Sequence, residues 1–206
     1  MIYGLFFGDS ITYGEYDGVF GGWVDILKRY ALQKYNEGNT NELILFNLGI
    51  GGETTEGLVK RIPYEMKARN SADGNIVFLG YGANDLAVKE GNQMVNPEQF
   101  KTNILATIQD AKLYSKNIYL ISILPISEKI DGKISPTGKL RTNQEVLIYN
   151  QILRNIATEN SLHYIDFHSA FLKDKEILLS EDGVHPNEKG YGLMAEIAIP
   201  IIEKYL

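Results

Sequence analysis

Five short, mostly apolar runs, Ile2–Phe7, Leu43–Leu48, Ile76–Leu79, Ile118–Leu124 and Leu162–Phe167, recur along the chain, built of β-branched, aromatic and leucine residues. A run that is apolar at consecutive positions, not at alternate ones, suits a strand covered on both faces. Helical periodicity lies between the runs. Trp23, Ile26, Leu27, Tyr30 and Ala31 follow i, i+3, i+4, i+7 and i+8, and Phe100, Ile104, Ile108 and Ala111 do likewise on a segment that Asn96-Pro97 opens. Val146, Leu147, Asn150, Leu153, Ile156 and Ala157 give a third helix. A last one is expected from about Pro186 to Tyr205, with Pro200 a kink or an end. This alternation predicts a parallel sheet inside a three-layer α/β/α domain, with ligands collecting at the carboxyl ends of the strands. The 206 residues suit one domain spanning 1–206.

Charge and composition narrow the chemistry. Twenty Lys and Arg against 26 Asp and Glu leave a net charge of −6, which offers no general attraction to phosphate backbones, so nucleic acid is not an expected partner. The absence of Cys removes disulfides, thiolate metal sites and a thiol nucleophile together. Any nucleophile is therefore oxygen or nitrogen. No window approaches the ~20 apolar residues of a membrane span. The opening Met1–Gly8 lacks a basic leader region and reads as a first strand, which makes the cytoplasm the expected compartment.

Polar residues cluster at the ends of the expected strands. The first ends in Gly8-Asp9-Ser10-Ile11-Thr12, the second in Asn47-Leu48-Gly49-Ile50-Gly51-Gly52-Glu53-Thr54, and the third in Gly80-Tyr81-Gly82-Ala83-Asn84-Asp85. Asp182-Gly-Val-His185 follows the fifth. A carboxylate three residues before an imidazole can accept from Nδ1–H, fixing the tautomer and leaving Nε2 as a base. Ser10, behind a glycine at a strand-to-loop junction, is the hydroxyl such a base would activate. Acyl transfer also needs oxyanion donors, and Ser10 N–H, Gly52 N–H and the Asn84 carboxamide are candidates. Singly, each residue is equally a turn or cap residue; their gathering at successive strand ends is what points to a site.

These segments resemble the blocks of the SGNH (GDSL-type) hydrolase family: Gly8-Asp9-Ser10, Gly52 within Gly51-Gly52-Glu53-Thr54, Asn84 within Gly82-Ala83-Asn84-Asp85, and Asp182-Gly-Val-His185. Ile11 stands where the common form of the first block has Leu. The resemblance implies a flavodoxin-like fold with five parallel strands in order 2-1-3-4-5. It implies a catalytic triad of Ser10, His185 and Asp182 acting on small-molecule esters, and an oxyanion hole of Ser10, Gly52 and Asn84, with no cofactor or metal. The chain has no G-x-S-x-G elbow, which disfavours the α/β-hydrolase fold.

Other residues carry smaller expectations. Asp9 and Asp85 should tie loops together through backbone hydrogen bonds. His163 and His168 read as core or helix-entry residues, and Asp166 as a brace for the His185 loop. Tyr13, Tyr16, Tyr81 and Trp23 are candidates for an apolar wall, although Trp23 fits core packing better. The polar stretch Ser127–Asn143 is either a flap facing substrate or a surface excursion. Short connections after the first three strands predict an open, shallow site for a short acyl group. Within the family the resemblance leaves a carbohydrate or lipid O-deacetylase and a thioesterase as alternatives. Three rivals stand outside it: a flavin-binding electron carrier, a metallophosphoesterase using Asp9, Asn84 and His185, and a scaffold that only binds carbohydrate or lipid.

Overall fold

The computed structural model describes residues 1–39 and 41–206. Its elements in chain order are β1 (Ile2–Gly8), α1 (Ser10–Tyr13), α2 (Trp23–Asn36), β2 (Leu43–Gly49), α3 (Thr55–Ala68), β3 (Asn75–Gly80), β4 (Val88–Lys89) and β5 (Asn92–Gln93). There follow α4 (Pro97–Lys112), β6 (Asn117–Ile121), β7 (Lys139–Leu140), α5 (Asn143–Glu159), β8 (His163–Ile165), α6 (Phe167–Phe171), α7 (Lys175–Leu178) and α8 (Glu188–Ile202). Five parallel strands form the main sheet in spatial order β2-β1-β3-β6-β8. Counted among themselves these are strands 2-1-3-4-5, as expected. A small antiparallel sheet pairs β5, β4 and β7.

Strand side chains alternate between two cores, because successive Cβ atoms point to opposite faces. Leu5, Phe7, Val77, Leu79 and Leu120 pack with Leu58 and Ile62 of α3, Ile104 and Ile108 of α4 and Leu153 of α5. Phe6, Ile76, Phe78 and Ile121 pack on the other face with Trp23 and Leu27 of α2 and Tyr191, Met194 and Ala198 of α8. Phe6 stacks on Phe78 at 4.1 Å and meets Trp23 edge-on at 5.2 Å. Each such ring contributes about 1.5–3 kcal/mol by leaving water. Trp23 is thus a core residue and not part of a substrate wall.

Several boundaries differ from the sequence reading, each for a local reason. The fourth sheet strand stops at Ile121, not Leu124: the Asn150 side chain takes over the ladder, accepting from Ile123 N–H at 2.7 Å and donating to Ile123 O at 2.9 Å. The fifth stops at Ile165, because Asp166 turns the chain into α6 by accepting from Ser169 N–H. Helix α3 has no counterpart in the sequence reading; Gly57 and Pro63 interrupt the apolar spacing of Leu58, Ile62 and Met66. Helix α8 is capped by Asn187, whose side chain accepts from Lys189 and Gly190 N–H, and Pro200 lies inside it near its end.

The sheet's carboxyl edge is built to receive α1. Gly8 is in register with Gly49 on one side and Gly80 on the other. A Cβ on Gly8 would fall 1.9 Å from Thr12 Oγ1, and one on Gly49 2.3 Å from Tyr13 N. The missing side chains let the first turn after β1 lie directly across the strand ends, and Ser10 begins that turn.

Candidate active site

Ser10 enters the site through a short capped turn. Asp9 accepts from Ile11 N–H at 2.9 Å, so the cap is Asp9 and the Ser10 side chain remains free for another partner. That partner is His185. Ser10 Oγ lies 2.7 Å from His185 Nε2, and His185 Nδ1 lies 2.5 Å from Asp182 Oδ2. The carboxylate requires a proton on Nδ1, which leaves Nε2 to accept from the serine hydroxyl. Burial would raise the Asp182 pKa. Hydrogen bonds from the His185 ring and from Val184 and His185 N–H outweigh it and hold the carboxyl below its usual range.

The loop carrying the imidazole is pinned at both ends. Ser180 N–H donates to His185 O at 2.7 Å, Ser180 Oγ to Pro186 O at 3.0 Å, and Asn187 Nδ2 to Ile177 O and Leu179 O. Gly183 has a φ of 71°, and a Cβ there would press on Ser127 at 2.9 Å. Tyr16 lies nearly parallel to the His185 ring at 5.0 Å. The turn bearing Tyr16 is held by Tyr191, whose hydroxyl donates to Glu15 O.

Ser10, Gly52, Asn84, Asp182 and His185 all line one cleft of about 530 Å³. Gly52 sits in a left-handed turn at φ 75°. The turn is buttressed behind by Glu53, which pairs with Arg61 at 2.8 Å and accepts from the Tyr81 hydroxyl at 2.6 Å, while Arg61 also reaches Leu48 O. Tyr81 is 2% exposed and belongs to this buttress, not to a substrate wall. Tyr13 points to solvent, and of the four aromatic candidates Tyr16 alone lines the cleft.

Asn84 is met from both ends. Its Nδ2 lies 3.3 Å from Glu53 O and 3.5 Å from Asp9 Oδ2, and its Oδ1 accepts from Lys139 and Arg141. Lys139 and Arg141 went unnoticed in the sequence because they lie in a polar stretch without periodicity. That stretch is an ordered wall: Ser127 N–H bonds Gly183 O, Gly132 N–H bonds Arg141 O, Asn143 N–H bonds Asp131, and β7 pairs with β4. Ile130, Ile134, Pro136 and Lys139 from it line the cleft, so the connection after β6 walls the site alongside the short connections after β1 to β3. Asp166 does not brace the His185 loop; it caps α6 and pairs with Arg154. His168 is buried and His163 stacks on Tyr119.

Asp85 ties two loops, as read from the sequence, by accepting from Thr55 N–H and Oγ1, whereas the backbone bond that Asp9 accepts, from Ile11 N–H, lies within its own turn. Burial pushes each carboxyl up to about 6 from 3.8. Between about pH 4 and 6 the folded chain thus holds protons that the unfolded chain has released, so these groups make stability fall as pH rises through that window. Asp85→Asn is expected to flatten the fall by up to ~1 kcal/mol per pH unit, read from urea midpoints between pH 4 and 7. An unchanged slope would refute the assignment of the raised pKa to Asp85.

The sequence matches the GDSL-like lipase/acylhydrolase family over residues 6–193, and the chain belongs to that family. It is a hydrolase of the esterase/acylhydrolase kind. It is 29% identical over 210 residues to the isoamyl acetate-hydrolyzing esterase of Saccharomyces cerevisiae, covering 98% of this chain and 86% of that protein. Its fold is similar to the lipase/acylhydrolase from Enterococcus faecalis, with a TM-score of 0.78, 24% identity, and coverage of 99% and 96%. An acetyl xylan esterase from Geobacillus stearothermophilus superposes with a TM-score of 0.75 at 22% identity, covering 99% of this chain and 95% of that one. No helix among the described residues is long and apolar enough to cross a membrane.

Proposed function

We propose that residues 1–206 form one domain that hydrolyses short-acyl carboxylic esters, with Ser10 as nucleophile, His185 as general base and acid, and Asp182 as its orienting carboxylate. The observation that carries this reading is the continuous run from Asp182 Oδ2 through both ring nitrogens of His185 to Ser10 Oγ, opening into a cleft that Asn84 and Gly52 also line. Ser10 Oγ attacks the ester carbonyl and His185 Nε2 takes its proton. Asp182 stabilises the imidazolium, and the oxyanion is held by Ser10 N–H, Gly52 N–H and Asn84 Nδ2. Collapse expels the alcohol, which takes the proton from His185. Water then attacks the acyl-Ser10 ester with His185 again as base, releasing the acid and restoring the serine.

The rival uses of the same residues fit less well. A metal held by Asp9, Asn84 and His185 would take one ring nitrogen, displacing either Ser10 from Nε2 or Asp182 from Nδ1, and would draw on a carboxylate that already accepts from Ile11 N–H. A phosphate after β1, as in a flavin carrier, would meet the buried Asp9 carboxylate. The acetate ester named for the yeast relative and the acetyl ester named for the xylan esterase favour a short acyl group.

The test is a chain-length series of p-nitrophenyl esters, acetate through decanoate, run beside acetylated sugars. The proposal expects kcat/KM to be highest for acetate or butyrate and to fall with longer chains; a maximum at decanoate would contradict the short-acyl assignment. Asn84→Ala is expected to lower kcat on the best ester by about 10²–10³ with a smaller change in KM, because the lost donor acts on charge that develops in the transition state. Steady-state kinetics on the purified variant check this.

A further inference from the structure

A carboxamide has a donor end and an acceptor end, and Asn84 can serve an oxyanion only if Nδ2 faces it. Its Oδ1 accepts from Lys139 Nζ at 3.0 Å and from Arg141 Nη2 at 3.3 Å. Its Nδ2 faces two acceptors, Glu53 O and Asp9 Oδ2. Turning the amide over would set an NH₂ group against two cations and an oxygen against a carboxylate and a carbonyl. Every contact therefore selects the same orientation. The Nδ2 contacts, at 3.3 and 3.5 Å, and the Arg141 contact, at 3.3 Å, are longer than usual for N–H···O bonds, whereas the Lys139 contact is of ordinary length. The shortest of the four contacts is thus on the oxygen, and the two on Nδ2 are long enough to yield to a stronger acceptor.

The two cations are themselves committed to this spot. Arg141 Nε donates to Ala83 O at 2.8 Å, one residue from Asn84, so its guanidinium spans the turn that carries the carboxamide. Burial lowers the pKa of both groups, and at Lys139 the charges of Arg141 and Lys89 add to it. Among the described residues neither cation forms a salt bridge. Asp9 acts on both from farther away, and Asp182 on Arg141. Two half-buried cations without a carboxylate in contact are unfavourable as mere scaffolding, since simple packing would be served by apolar side chains. Their shared target is one oxygen of one amide.

We propose that Lys139 and Arg141 are positioning residues that clamp the Asn84 carboxamide with Nδ2 toward the oxyanion. The inference rests on Asn84 as an oxyanion donor, as assigned above. Drawing electron density through Oδ1 also makes Nδ2–H a stronger donor as negative charge develops beside it. The wall formed by residues 127–143 thereby has a catalytic consequence as well as a steric one: it carries both clamp residues to the oxyanion side of the cleft.

The experiment is a double-mutant cycle on p-nitrophenyl acetate. Lys139→Met and Arg141→Met are each expected to lower kcat about 10-fold with KM changed less than about 2-fold, while Lys139→Arg, which keeps a charged donor, recovers most of the loss. In the Asn84→Ala background the same two substitutions should change kcat by less than about 2-fold, because no carboxamide remains to be held. Equal losses in both backgrounds, or no loss with Asn84 present, would overturn the proposal. A second readout needs no turnover: in ¹⁵N-labelled Ser10→Ala protein, the Asn84 side-chain NH₂ resonances, assigned by their disappearance in Asn84→Ala, should move on Lys139→Met. Unmoved resonances would also overturn the clamp. Failure of the esterase reading has a different signature, namely wild type and Ser10→Ala hydrolysing the ester at equal rates.

Discussion

Replacing Ser10 by alanine is expected to lower kcat on p-nitrophenyl acetate by about 10⁴–10⁶ while leaving the fold intact. The size follows from the role: without Oγ, the imidazole has nothing to deprotonate that can form an acyl-enzyme, and only the oxyanion donors and substrate binding remain. The tolerance follows from the packing. Asp9, not Ser10, caps α1, and the Ser10 side chain makes its bond to His185 at the cleft floor and not within the core. Alanine needs no more space than serine, so the thermal midpoint should stay within a few degrees. A variant that keeps the wild-type rate would remove Ser10 from the chemistry, and one that fails to fold would show that the hydroxyl is structural.

The second large effect is expected at Asp182. Asp182→Asn should lower kcat by about 10⁴. One carboxylate oxygen accepts from Val184 and His185 N–H, and an asparagine carbonyl can keep both bonds. The other oxygen faces Nδ1 at 2.5 Å. Put an NH₂ there, and Nδ1 must become the acceptor, so the ring proton moves to Nε2. His185 would then donate to Ser10 instead of accepting from it, and the base is lost without any change of position. Asp182→Ala should cost a similar factor in rate, with additional stability lost as two backbone N–H groups lose their acceptor. Comparing kcat and urea midpoints for the two variants separates the tautomer effect from the structural one.

Much of the fold was legible because both of its determinants are local. Consecutive apolar residues mark strands covered on two faces, and the helical spacing of Trp23 to Ala31 or Phe100 to Ala111 marks the covering layers. What escaped depended on contacts made across the chain. Helix α3 is disguised by Gly57 and Pro63 and is recruited by the sheet face it covers. The ends of β6 and β8 are set by the side chains of Asn150 and Asp166, which no apolar count registers. At the site, residues in compact motifs could be proposed from the sequence, and the fold brings Ser10 and His185 together across 175 positions. Lys139 and Arg141 could not be proposed: each is an unremarkable basic residue in a polar stretch, and its partner at Asn84 lies more than fifty positions earlier. Tyr81, a plausible wall by position, is claimed instead by Glu53 and Arg61.

The most direct test of Ser10 as nucleophile is covalent. The full chain would be treated with an organophosphonate that carries a p-nitrophenyl leaving group, followed by intact mass and peptide mapping. The account predicts one adduct per chain, on the peptide holding Ser10, with p-nitrophenolate released in equal amount and esterase activity lost in step, and no adduct in Ser10→Ala. Retained activity without an adduct, or stoichiometric labelling on any other residue, would contradict it.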